Sequence, residues 1–382
     1  MRNNINKKAL IVFGTRPEAI KMAPVINKLN AKMEVVVCVT AQHRELLDQV
    51  LDLFEIIPDY DLDIMGPGQD LFEVTSNVLL GIKNILSRVS PDLVLVHGDT
   101  TTAMAASMAA FYNKTPIGHV EAGLRTDDIQ SPFPEEFNRQ LVTKLARYHF
   151  APTKKAQQNL LNENVLEENI FITGNTIIDS LFSILEQSRS ISFSEDFLNR
   201  MPFFNPEKKL PRIILVTGHR RENFGQGFEE ICLALKSIAL QNPKVEIIYP
   251  VHLNPNVQEP VRRLLLHTKN IHLIEPLDYQ LFVKLMDLSY IILTDSGGIQ
   301  EEAPSLGKPV ILMRDSTERP EAVEAKTVKL VGSNKEKIIE SVNFLLSNDS
   351  EYFKMSKAHN PYGDGEASRR ICQVLEGEFY AS

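Results

Sequence analysis

Thr294-Asp295-Ser296-Gly297-Gly298-Ile299-Gln300-Glu301-Glu302-Ala303-Pro304 is the stretch on which the reading of this chain turns. Before it runs Tyr290-Ile291-Ile292-Leu293, an apolar, β-branched segment with the length of a buried strand. After the two glycines comes a helix-like segment, Ile299 to Leu306, with Ser296 placed to cap it and acids expected in its first turn. Strand, Ser-Gly-Gly, helix is a geometry that binds phosphate. Glycine lets the backbone approach an anion, and the free N–H groups at the helix start point at it. Glu302, about one turn into that helix, is placed to accept hydrogen bonds from a sugar's hydroxyls. The same residues would also make a tight strand-to-helix turn in any α/β protein.

Working outward, the pattern repeats along the chain. Lys8 to Phe13 reads as a buried strand, and Gly14-Thr15-Arg16-Pro17-Glu18 turns it into a helix with Pro17 in its first turn. Arg16 therefore sits at a strand's carboxyl end beside a helix N-terminus, and Lys21 lies one turn further on. Glu34 to Thr40 leads through Ala41-Gln42-His43-Arg44 into an amphipathic helix, Glu45 to Phe54. Asp92 to His97 ends in Gly98-Asp99-Thr100-Thr101-Thr102 before a small-residue helix through Phe111. Ile117 to Val120 ends in Glu121-Ala122-Gly123-Leu124-Arg125, and a helix starting near Glu135 carries Arg139. After Phe171-Ile172-Thr173-Gly174-Asn175 the pattern weakens into a polar helix, and Pro202 to Pro211 reads as a loop.

Alternation then restarts with Arg212 to Thr217, followed by Gly218-His219-Arg220-Arg221-Glu222-Asn223. Further strands are Val245 to Tyr249, which leads into His252, then Ile271 to Ile274, Pro309 to Met313 and Val328 to Val331. Strands alternating with helices imply parallel sheets, which take their ligands at the strands' carboxyl ends. Arg16, Asp99 and Glu121 all fall on that edge. Each has a plainer reading: Asp99 caps a helix, Glu121 pairs with Arg125, Arg16 is a surface charge. Three such residues on one rim favour a site. The expected fold class is α/β: two Rossmann-like doubly wound domains with an interdomain cleft.

A chain of 382 residues is too long for one ordinary core, which agrees with two domains. Its 43% hydrophobic and 24% charged content are those of a soluble globular protein. A net charge of −8 argues against a nucleic-acid surface, although a nucleotide needs only a local cluster of positive charge. No apolar run is long enough to span a bilayer, so no membrane partner is expected. The N-terminal residues lack a signal-peptide apolar region, and the expected location is the cytoplasm. Cys38, Cys232 and Cys372 are scattered and read as buried free thiols.

Several chemistries lack their signatures. Gly225-Gln226-Gly227 is missing the third glycine of a dinucleotide fingerprint and follows a polar loop. The Walker phosphate-loop pattern and His-Glu-x-x-His are absent, and His219 and His252 have no third metal ligand at a useful spacing. No metal or nicotinamide cofactor is expected.

Taken together, the motifs resemble one family. They are Gly14 to Lys21, Thr40-Ala41-Gln42-His43, His97 to Thr102, Val120 to Arg125, Ser131-Pro132-Phe133-Pro134-Glu135-Glu136, Gly218 to Asn223, the opening stretch, and Thr317-Glu318-Arg319-Pro320-Glu321. The chain resembles the bacterial non-hydrolysing UDP-N-acetylglucosamine 2-epimerases from Gly14 to about Gly365, nearly its whole length. The resemblance implies a glycosyltransferase-B-like fold with a nucleotide cleft between its domains. One domain would span 1–173 plus 362–382, with a returning C-terminal helix, and the other 174–361. It further implies a cytoplasmic homodimer that interconverts UDP-GlcNAc and UDP-ManNAc without a cofactor and supplies ManNAc-derived surface polysaccharides. Ser296, Gly297 and Gly298 would hold the diphosphate with Arg16 and His219, and Glu302 the ribose hydroxyls. Asp99, Glu121 and Glu135 would be the acids of the sugar pocket, with Lys21, Arg139 and Arg319 at further polar positions. Members also bind a second UDP-GlcNAc as activator, and Gln42, Gln69, Arg220 and His252 match positions of that site. Glu45 and Gly68 depart from it, standing where some members carry Gln and Arg. Phe133 replaces an aromatic that is often Trp, a mild change because either supplies a packing face.

The residue types fit the chemistry. The C2 hydrogen of a nucleotide sugar has no neighbouring carbonyl, so inversion needs either transient oxidation or loss of UDP to an unsaturated glucal. Without a dinucleotide fingerprint the second route is expected, with a carboxylate near C2 and positive groups on the departing diphosphate. Three rival readings remain: a hydrolysing 2-epimerase releasing free ManNAc, a glycosyltransferase on the same scaffold, and a catalytically silent nucleotide-sugar sensor.

Overall fold

Val-, Ile- and Leu-rich runs without polar interruption form parallel strands covered on both faces. The computed structural model, which describes residues 7–41, 44–64, 68–204 and 209–380, contains two such sheets. The first holds β1 Lys8–Phe13, β2 Glu34–Val39, β3 Tyr60–Asp61, β4 Leu93–His97, β5 Ile117–Val120, β6 Tyr148–Ala151 and β7 Ile170–Ile172. The second holds β8 Arg212–Thr217, β9 Val245–Pro250, β10 Ile271–Ile274, β11 Ile291–Thr294, β12 Val310–Leu312 and β13 Val328–Leu330.

Their orders are β3-β2-β1-β4-β5-β6-β7 and β10-β9-β8-β11-β12-β13. In each, the chain begins mid-sheet, winds to one edge, then returns to wind to the other. The winding reverses between β1 and β4 in the first sheet and between β8 and β11 in the second. The crevice outside the carboxyl ends of such a strand pair is where doubly wound sheets take ligand. The two sheets are the two Rossmann-like layers expected from the alternation.

The chain divides into two compact units, Met1–Ser180 with Tyr362–Ser382, and Leu181–Pro361. In the first, the C-terminal helix Ala367–Tyr380 packs on the helix Arg16–Asn30. Its start is tied to Asp179, which accepts from Ser368 N at 2.8 Å and Ala367 N at 3.2 Å as well as from the Ser368 hydroxyl. Those donors are orphans of a helix N-terminus, and the buried carboxylate satisfies them. The apolar cores lie against the sheets, around Leu10, Val94 and Ile82 in one unit and Ile214, Phe228 and Leu293 in the other. Cys38, Cys232 and Cys372 are free and buried, and burial pushes the Cys38 and Cys232 thiols up to about 12. No helix among the described residues is long and apolar enough to cross a membrane.

Three local differences from the sequence reading have physical causes. The segment after Asn175 is not a polar helix: in Thr176–Ser188, Ile177, Ile178, Leu181 and Ile184 form a buried stripe at helical spacing. The long helix Leu71–Val89 went unread, although Asp70 and Glu73 form a capping box at its start. The helix after Ser296 begins at Gly297, not Ile299. Glu301 and Glu302 therefore fall beyond its first turn, which holds no acid.

Candidate active site

In the first unit the candidate residues gather where the winding reverses. After β1, Thr15 caps the helix Arg16–Asn30, and Glu18 completes a capping box. The Glu18 carboxylate accepts from Gly14 N at 3.0 Å, Thr15 N at 2.8 Å and the Thr100 hydroxyl at 2.7 Å. It thereby stitches the loop after β1 to the loop after β4. Burial raises its pKa, and these hydrogen bonds pull it back down. Arg16 stands exposed at this helix start with no ion pair or hydrogen bond to a described residue. An exposed guanidinium at a helix N-terminus is suited to an anion.

After β4, Asp99 does not cap the next helix; Thr100 does, accepting from Ala103 N at 3.1 Å. The Asp99 carboxylate is held instead by Arg139, whose Nε and Nη2 donate to Oδ2 at 3.0 and 2.7 Å. Arg139 also donates to the fully buried Glu136 at 3.0 Å, and Asn138 Nδ2 donates to the Asp99 carbonyl at 2.8 Å. Glu135 opens the same helix, Glu135–Leu145, one turn before Arg139, with its Oε2 buried and without a described partner. A carboxylate oxygen left dry without a donor raises free energy, and a ligand group can relieve it.

After β5, Glu121 adopts φ 64°, a left-handed conformation that few non-glycine residues take. Its carboxylate bonds Lys21 Nζ and accepts from Asn175 Nδ2 at 2.8 Å. His97 Nε2 stands 3.8 Å away. The Arg125 pairing is not made: Arg125 bonds Glu163 and the Thr143 hydroxyl. His97 is buried, neither ring nitrogen has a described partner, and burial holds its pKa down to about 4, so the ring is neutral at neutral pH. Asn175 and His97 join this cluster from outside the sequence-predicted set. Gln69 lies half-buried just before the Asp70 cap, and Gln42 lies outside the described residues.

In the second unit the same construction recurs. Thr294 and Thr217 share a 2.6 Å hydroxyl contact across β11 and β8, and Ser296 N donates to Thr294 Oγ1 at 2.9 Å. Ser296 occupies the cap position, but its side chain makes no cap hydrogen bond. The helix's first N–H groups thus lack a side-chain partner there, which is what an anion site needs. A Cβ on Gly297 would meet Arg319 Nη1 at 2.9 Å, and one on Gly298 would lie 3.6 Å from Glu302 Oε2. Gly297 therefore leaves the room that Arg319 occupies, whereas a side-chain carbon at Gly298 would make only ordinary contact with Glu302. Arg319 pairs with the buried Glu301. Glu302 is buried and accepts from the Tyr279 hydroxyl at 2.5 Å, an aromatic partner that the sequence did not reveal.

His219 leaves the carboxyl end of β8. Its ring stacks on His252 with centroids 5.3 Å apart and planes 16° from parallel. Burial lowers its pKa, the Asp295 carboxylate raises it, and His252 and Arg220 oppose a positive charge. Arg220 Nε is buried and without a described partner.

Comparison with known proteins finds one family. The profile described as UDP-N-acetylglucosamine 2-epimerase matches residues 27–376. A UDP-N-acetylglucosamine 2-epimerase of Escherichia coli (strain K12) is 60% identical over 372 residues, covering 97% of this chain and 98% of the relative. One of Campylobacter jejuni is 56% identical, with 97% of each chain covered. The crystal structure of UDP-GlcNAc 2-epimerase from Neisseria meningitidis bound to UDP-GlcNAc superposes with a TM-score of 0.86 at 52% identity, over 96% of this chain and 99% of that one.

Proposed function

The chain belongs to the UDP-N-acetylglucosamine 2-epimerase family, and from that premise we propose that it inverts C2 of UDP-GlcNAc without hydrolysing the product. We assign the acid–base groups to the first unit and, Arg16 apart, the nucleotide contacts to the second. In the forward direction the C1–O bond to UDP breaks and the C2 proton passes to a carboxylate, leaving 2-acetamidoglucal. A proton then returns to the opposite face of C2 while a diphosphate oxygen re-forms the bond at C1. The sequence is redox-neutral and consumes no water, so it calls for no nicotinamide. Asp99, Glu121 and Glu135 are the acid–base set, and Arg16, His219 and the Ser296-Gly297-Gly298 helix start meet the diphosphate.

The observation that carries this reading is the pair of carboxylates after β4 and β5, each held by its own cation, Asp99 by Arg139 and Glu121 by Lys21. A cation hydrogen-bonded to a carboxylate fixes its orientation. Turnover of UDP-GlcNAc in D2O tests the reading. UDP-ManNAc carrying deuterium at C2, with none at C3 or C4, is the expected product. Free ManNAc would reassign the chain to the hydrolysing reaction, and label at C4 would remove all three carboxylates from their roles.

Glu302 takes the ribose hydroxyls in this scheme. Glu302→Ala should weaken UDP binding by about 1–3 kcal/mol, roughly 5–150-fold. Calorimetric titration checks it, and unchanged affinity in a variant with wild-type thermal stability would remove Glu302 from the nucleotide site. Arg220 and His252, with Gln69, are the described residues assigned to binding a second UDP-GlcNAc.

The assembly is a cytoplasmic homodimer in this reading. Leu80, Phe111 and Tyr112, 57%, 55% and 68% exposed on the helices Leu71–Val89 and Thr101–Tyr112, are the apolar side chains we assign to the contact between subunits. Leu80→Glu combined with Tyr112→Glu should shift sedimentation from dimer to monomer. A wild-type protein that sediments as a monomer at micromolar concentration would overturn the assignment.

A further inference from the structure

Asp295 stands in the opening stretch immediately before the phosphate-binding serine, yet its carboxylate is aimed at the neighbouring strand's loop. It is fully buried. Oδ2 accepts from His219 N at 2.8 Å, Arg220 N at 2.9 Å and Asn223 Nδ2 at 3.4 Å. Oδ1 is equally buried and has no hydrogen-bond partner among the described residues. His219 Nδ1 stands 3.7 Å from it. One oxygen of this carboxylate therefore fixes the backbone of the histidine loop, and the other faces the histidine ring without a donor.

An unsatisfied oxygen of a buried carboxylate is costly, and a small rotation of His219 would satisfy it with an Nδ1–H donor. We propose that Asp295 is a positioning residue for His219, holding the ring with its proton on Nδ1 and its Nε2 directed outward to the leaving diphosphate. This rests on the reading of His219 given above. When the diphosphate's negative charge draws a second proton from solvent onto Nε2, the imidazolium lies between two anions and the 3.7 Å gap closes to a charge-assisted hydrogen bond. The groups facing the ring set the balance. Asp295 favours the charged form; Arg220 and His252 oppose it. His252 Nδ1 accepts from Asn254 N at 3.1 Å, so that ring carries its proton on Nε2 in the stacked arrangement.

Asp295→Asn tests this. The Asn carbonyl can still accept from the His219 and Arg220 N–H groups, while its NH2 faces Nδ1, where a donor now demands the opposite tautomer. The sign of the pH effect follows: without the carboxylate's charge, the protonated form of His219 is lost at lower pH. The alkaline limb of kcat/KM should therefore move down by about one pH unit, the scale of a tenfold change in protonation equilibrium. In 15N NMR of the ligand-free protein, at a pH where the ring is neutral, His219 should carry its proton on Nδ1 in the wild type and on Nε2 in Asp295→Asn. Introduced into His219→Ala, Asp295→Asn should change kcat less than about twofold, because its effect runs through the ring.

The same tautomer in both proteins, or an unmoved alkaline limb, overturns the proposal. So does an equal loss of kcat in the His219→Ala background, which would make Asp295 purely structural. If Asp295→Asn does not fold, the wild-type spectrum alone decides, since a ring protonated only on Nε2 is incompatible with the proposal. If the tautomer switches as expected while His219→Ala keeps full turnover, the positioning role stands and the diphosphate role of His219 falls.

Discussion

Glu121→Gln should lower kcat by about 10²–10⁴-fold, the range general acid–base groups contribute, while UDP affinity stays within a few-fold. The expectation comes from how the side chain is held. Glu121 takes φ 64° at the end of β5, a conformation costing on the order of 1–3 kcal/mol unless the surroundings enforce it. Lys21, Asn175 and the neutral His97 surround its carboxylate, whose exposure is only 8%. Folding has kept a strained, ionisable residue at the mouth of the sheet where an alternative backbone would be cheaper. Gln preserves the shape and can still accept from Asn175 through its carbonyl, but cannot take a proton from C2. Since the nucleotide contacts proposed above involve other residues, the loss should fall on kcat rather than on UDP binding. Single-turnover kinetics and UDP titration separate the two. Turnover within about tenfold of wild type would move the acid–base work to Asp99 and Glu135.

What the sequence made legible follows the range of the forces involved. Strands such as Lys8–Phe13 and Arg212–Thr217 carry contiguous apolar runs, so they were readable one segment at a time. β6, Tyr148–Ala151, lacks such a run: Tyr148 and His149 open it, and burial holds the His149 pKa down at about 4. A neutral imidazole inside a sheet is invisible to a hydropathy pattern. The candidate residues themselves could be named, by their place at strand ends and by family resemblance, but not their partners. Lys21 reaches Glu121 across 100 residues of sequence, and Arg139 reaches Asp99 across 40. The local guesses, Glu121 with Arg125 and Asp99 as a cap, failed because nearness in sequence says little once a parallel sheet brings distant strand ends together. Asp295 illustrates this further. It sits within the most conspicuous motif of the chain, yet its hydrogen bonds run to the loop after β8, which adjoins it only because β8 pairs with β11.

His219→Ala should reduce kcat by about 10²–10³-fold, as removal of one preorganised donor to a developing anion does. Arg16 is the other positive group assigned to the diphosphate, and its planar fork suits a phosphate oxygen pair. His219 differs: burial and its basic neighbours hold its pKa below the ordinary value, so the free protein carries it mainly neutral at neutral pH. Its side chain is nevertheless 40% exposed, leaving the ring within reach of a ligand. In the elimination proposed above, a bound diphosphate would raise the pKa by direct attraction, and more strongly as the C1–O bond breaks and negative charge collects on the leaving oxygen. The stabilisation therefore grows along the reaction coordinate. That places the loss in kcat and leaves ground-state UDP affinity reduced by no more than about tenfold. A variant whose UDP affinity falls as steeply as its turnover would show uniform binding, and one that retains turnover within about threefold would show that the stacked His219–His252 pair serves only to hold the loop.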